Sequence, residues 1–148
     1  MKSLFEAAVG VVLAVVLATL LGKISAPLLF VFNTFSWVVL YFSLTKNEVF
    51  GAVMGTVCGL LQDSLSLGIF GVGGLTKTLL GFTAGFISRK INVIPVTRNF
   101  AFLLVVSTAE FFLWKFLVLF LLGKGLALGR GLAFLQPLVT AFFVTLLF

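Results

Sequence analysis

The chain has 148 residues, of which 61% are hydrophobic and only 9% charged, with 19 Phe, no His and a formal net charge of +6. A soluble domain must coat itself with polar groups, and a mean hydropathy of +1.31 leaves too few for that. The composition therefore predicts a multi-pass membrane protein. It excludes histidine-based catalysis and histidine metal sites outright.

Charge appears as short punctuation between apolar runs. The runs Val9–Leu21 and Phe100–Val106 are continuous rather than alternating, so helices, not a barrel, are expected to span the bilayer. Six candidate spans follow, at 4–22, 26–45, 48–63 (extending as far as Phe70), 71–88, 98–122 and 131–148. The breaks are Gly22-Lys23, Lys46-Asn47-Glu48, the Ser/Gly loop after Asp63, Arg89 to Arg98 with Pro95, and Gly123 to Gly131. Short connections leave no room for an extramembrane domain, and the fold class is an all-α bundle forming a single polytopic domain over 1–148.

The first run follows Lys2, as in a signal peptide, but Ala26 at its end precedes Pro27, a poor cleavage context, so a retained anchor helix is the preferred reading. With the N-terminus inside, one side carries Lys2, Lys46, Arg89, Lys90 and Arg98, and the other Lys23, Lys124 and Arg130. The basic loop Arg89, Lys90 and Arg98 decides for a cytoplasmic N-terminus and C-terminus. That loop is also a candidate contact for anionic lipid or a cytoplasmic partner. The basic residues are spread among loops, which argues against nucleic acid. Cys58 stands alone and reads as a small packing residue.

The stretch 51–90 is the most informative. Gly51, Gly55, Gly59 and Asp63 make one helical stripe and Gly73, Lys77, Gly81 and Gly85 another, and small residues every fourth position let helix backbones approach closely. Asp63 and Lys77 flank one outer loop, so the expected arrangement is an ion pair between them, with a substrate or proton site as the functional alternative. Glu110 and Lys115, five residues apart in the fifth span, turn to different faces and are candidates for contacts with another protein's helix. Lys2 and Glu6 lie where headgroups solvate them, and Trp37, Tyr41 and Trp114 are candidate interface anchors.

Catalytic chemistry is hard to assemble. The four acids Glu6, Glu48, Asp63 and Glu110 fall on different segments. A Ser-Lys arrangement of Lys77 with Ser64, Thr76 or Thr78 lacks a strained nucleophile turn, and the GVGG run at 71–74 lacks the Gly-Lys-Ser/Thr of a phosphate loop. No catalytic residue, metal site or cofactor is expected.

The sequence GLLQD at 59–63, a loop with Gly68 and Gly71, and LTKTLLGFTAGFISRK at 75–90 together resemble the bacterial rod shape-determining MreD family. The resemblance is specific over about forty residues, and elsewhere rests on size and layout. It marks Gly59, Asp63, Gly71, Leu75, Gly81, Gly85 and the basic pair Arg89/Lys90. It implies a small inner-membrane scaffold without enzymatic activity that binds MreC and associated wall-synthesis proteins, alongside the MreB filament, and helps maintain rod shape. It also implies a six-helix fold similar to the substrate-binding subunits of energy-coupling-factor vitamin transporters. Such a subunit is the competing reading: it would need a polar and aromatic solute pocket, and would dock its transport partner through closely spaced alanines of the first helix. Gly10, Ala14, Ala18 and Gly22 form such a stripe, while Asn33, Asp63, Ser64, Ser66, Lys77 and Gln136 are the few side chains of ligand grade. The apolar run at Phe148 leaves open whether the chain continues.

Overall fold

The computed structural model describes residues 1–25, 33–66, 70–91, 96–123 and 135–146. These form six α-helices and no strand: α1 (Lys2–Ile24), α2 (Thr34–Thr45), α3 (Glu48–Ser66), α4 (Val72–Lys90), α5 (Val96–Leu122) and α6 (Gln136–Leu146). Each overlaps one of the six stretches read from the sequence, with α1 running two residues past its stretch at both ends, α4 two residues past the end of its own and α5 starting two residues early. The candidate starts at 26 and 131 and the end at 148 lie outside the described residues.

Two helices, Lys2–Ile24 and Phe100–Leu121, are long and apolar enough to cross a membrane, while α2 and α6 are shorter apolar helices. The helices α3 and α4 have 19 residues each, but glycines and polar groups such as Gln62, Asp63, Lys77 and Arg89 dilute their apolar content. Their composition is explained by what they pack against.

Helix α2 lies at the centre, packed against α1, α3, α4 and α6. Its Ser36, Val39 and Leu40 are fully buried. Asn33 starts it, its side chain accepting from the Ser36 amide at 3.4 Å. Around it sits a core of Ala7, Ala14, Ala18, Phe35, Phe42, Met54, Cys58, Leu80, Ala84, Leu103, Val106, Ala141 and Val144. Half-buried Trp37 packs against this core and stacks on Phe143 of α6 with ring centroids 4.5 Å apart.

Helix α1 buries only a narrow stripe. Ala7, Ala14 and Ala18 are buried, and Gly10 sits against Phe42 and Val38 of α2. Polar ties close the same end of the bundle. Lys46 at the end of α2 bridges Glu6 of α1 at 3.3 Å, so Glu6 is tied to the next helix rather than to Lys2. Arg89 at the end of α4 bridges Glu48 at 3.1 Å and hydrogen-bonds Asn47, which clamps the turn between α2 and α3.

Candidate functional site: a buried charge centre beside a glycine-locked hairpin

Helices α3 and α4 run antiparallel in a fixed register: Gly51 meets Gly81, Gly55 meets the carbonyl of Lys77, and Gly59 meets Gly73 and Gly74. Each step of four along α3 is a step of four back along α4. A Cβ at any of the α3 positions would overlap backbone atoms of α4, which cannot rotate aside. At Gly81 it would overlap the backbone of Gly51, and at Gly85 it would lie 2.7 Å from the Cα of Glu48. The five glycines Gly51, Gly55, Gly59, Gly81 and Gly85 thus bring two helix backbones into direct contact.

Asp63 closes the loop end of this hairpin, in a way that differs from the expected pairing with Lys77. Its carboxylate accepts hydrogen bonds from the amides of Gly71 at 2.8 Å, Gly73 at 3.0 Å and Gly74 at 3.3 Å. The first turn of any helix exposes amides without intrahelical partners and carries partial positive charge. Gly71, the residue preceding α4, offers no side chain to cap them, so the carboxylate of the preceding helix does so. Gly71 takes the left-handed conformation at φ 100°, and a Cβ on Gly73 would strike the carboxylate. Asp63→Ala is therefore expected to destabilise the hairpin by about 1–3 kcal/mol, more than an ordinary cap because the acceptor is ionised and multiply bonded. Amide exchange at Gly73 and Gly74 checks this, and unchanged protection would show that the cap is not needed.

Lys77 instead pairs with Glu110 of α5 at 2.7 Å, with side chains only 2% and 6% exposed. The Lys77 ammonium also donates to Ser36 Oγ at 2.5 Å and Asn33 Oδ1 at 3.2 Å. An ammonium has three protons, and these three acceptors use them all. Glu110 Oε1 in turn accepts from the Ser36 hydroxyl at 2.6 Å and from Asn33 Nδ2 at 3.4 Å. Three helices, α2, α4 and α5, thereby meet at one neutralised centre. Two buried opposite charges with this many shared hydrogen bonds offset much of their desolvation cost, and they fix which helix faces meet.

The expectation that Glu110 contacts another protein is thus corrected, since the chain itself supplies its partner. Lys115 does lie on a different face and is exposed. Lys90 is exposed with its ammonium 4.8 Å from the Phe86 ring centre, Arg89 is spent on the α2–α3 turn, and the side chain of Arg98 lies outside the described residues. Sequence reasoning missed Ser36. Its signal was the Asn33-x-x-Ser36 spacing at a helix start, which places both polar side chains on the turn facing Lys77.

No family model, curated protein or solved structure matches the chain.

Proposed function

We propose that the chain is a multi-pass protein of the bacterial cytoplasmic membrane and a non-enzymatic scaffold of cell-wall elongation, holding an MreC-like membrane protein and, through it, an MreB-like filament and wall-synthesis enzymes. The observation that carries this reading is the use made of the MreD-like residues. Gly59, Asp63, Gly71, Gly81 and Gly85 are all spent on locking α3 to α4. A stretch whose marked residues build a rigid hairpin suits a protein that presents helix faces to others.

Three further features support it. Large apolar side chains are exposed on α1 (Leu4, Phe5, Leu13, Leu20), α3 (Val49, Val53, Val57), α4 (Phe82, Phe86) and α5 (Phe112, Phe116, Phe120), a surface that lipid tails or partner helices would cover. The end carrying Lys2, Lys46, Arg89 and Lys90 would be the cytoplasmic one, with both chain termini inside. Against the vitamin-transporter reading, the alanine stripe of α1 is already occupied: Ala14 and Ala18 are buried in the chain's own core. The face through which such a subunit would dock its transport partner is not on offer.

Depletion in a rod-shaped host is the test. Cells should round up and lose ordered lateral wall synthesis within a few generations while vitamin uptake stays normal. Cells that remain rods but fail to take up one vitamin would establish the solute-binding reading instead.

A further inference from the structure

Lys115 is exposed on α5 within the 22-residue segment Phe100–Leu121 that is apolar enough to cross a membrane. Two further turns of helix, Phe116–Leu122, separate it from the end of α5. Its neighbours at helical spacing, Phe112, Phe116 and Leu119, are exposed and apolar, and Phe116 stacks on the exposed Phe120 with centroids 6.3 Å apart. Among the described residues Lys115 has no ion pair or hydrogen bond.

The chain has no acid to spare for it. Only four acidic residues exist in the whole sequence. Glu6 is bridged to Lys46, Glu48 to Arg89 and Glu110 to Lys77, and Asp63 is bound to the amides at the start of α4. A second copy would bring the same four acids, engaged in the same way. The counter-charge for a cation on an apolar helix face must therefore come from a different molecule.

We infer that Lys115, with Phe112, Phe116 and Leu119, forms the docking face for a transmembrane helix of another protein that carries an Asp or Glu at the matching depth. This rests on the membrane scaffold reading above and says which face and which partner chemistry that scaffold uses. Residues 112, 115, 116 and 119 form one ridge at helical spacing, as a helix-in-helix contact requires. The aromatic side chains supply packing area, and the ammonium selects the partner and its register. Because Lys115 sits on the surface and away from the buried centre, its replacement leaves the fold intact.

The test uses the full-length protein in native membranes, with a photoreactive phenylalanine analogue installed at Phe116. Irradiation should give one protein adduct whose cross-linked peptide is a transmembrane segment containing an acid. Lys115→Glu should lower the adduct at least about tenfold at unchanged protein level, Lys115→Arg should retain it, and changing the partner's acid to Lys should restore it in the Lys115→Glu background. An adduct with lipid alone, with a second copy, with a segment lacking an acid, or one indifferent to Lys115→Glu would overturn the inference. Failure here is separable from failure of the scaffold reading. Release of the protein by alkaline carbonate, or depleted cells that stay rod-shaped, sinks the latter, whereas a charge-insensitive adduct in cells that round on depletion sinks only the inference.

Discussion

Lys77→Met is expected to destabilise the protein by about 3–5 kcal/mol, and Glu110→Leu by a similar amount, while the double substitution should recover most of the loss. The reasoning turns on what each change leaves behind. Without the Lys77 ammonium, the carboxylate of the buried Glu110 side chain, 6% exposed, keeps only the Ser36 hydroxyl and the long bond from Asn33. A buried anion with two neutral donors is poorly compensated, and an unpaired buried ammonium is no better off. Removing both charges replaces the pair with apolar volume, a change that is often close to neutral when packing is kept. Unfolding of detergent-solubilised protein, followed for the wild type, two single variants and the double variant, gives the coupling directly. Single effects that simply add would mean that the two groups do not interact across α4 and α5.

The same pair shows where the sequence could be read and where it could not. The order of the described helices, and the breaks at Lys46-Asn47 and after Asp63, were legible because Gly, Pro and charges interrupt apolar runs at helix-length intervals. The α3–α4 contact was legible as well, since four-residue glycine spacing on both segments admits close approach along the whole hairpin. Which charge meets which was not. Asp63 and Lys77 flank one loop, and proximity along the chain suggests a bond between them. Two terms outweigh proximity. The start of α4 exposes amides that Gly71 cannot cap, and the Asp63 carboxylate accepts from them. Lys77 lies further along α4, where it reaches Glu110, a residue 33 positions away whose depth in α5 is set by packing rather than by any local pattern. The divergence of Glu110 and Lys115 was visible from their five-residue spacing. That the first turns inward and the second outward depends on where α4 packs.

Gly55→Leu should be among the most damaging single substitutions in the chain, and even Gly55→Ala should cost more than about 1 kcal/mol. In an exposed helix, Gly→Ala gains up to about 1 kcal/mol from backbone entropy alone, so a net loss here requires a larger opposing term. That term is steric. The new Cβ would overlap the carbonyl oxygen of Lys77 and lie 2.8 Å from the Thr78 nitrogen, and neither is the tip of a flexible side chain. Relief comes only from moving α3 and α4 apart, which weakens every other contact in the hairpin. It also moves the backbone of Lys77, whose ammonium is held within 2.7 Å of Glu110, so the steric fault propagates to the charge centre. Gly10 provides the internal comparison. A Cβ there would meet the edge of the Phe42 ring at 3.1 Å, a side chain able to give way by a few tenths of an ångström. Gly10→Ala should therefore be close to neutral, whereas Gly55→Ala, Gly55→Leu and Gly81→Leu should lower both folded yield and resistance to denaturant, in increasing order of side-chain bulk at Gly55. A Gly55→Ala protein as stable as the wild type would mean that α3 and α4 do not approach through their backbones, and the register between Gly51–Gly59 and Gly73–Gly81 would have to be abandoned.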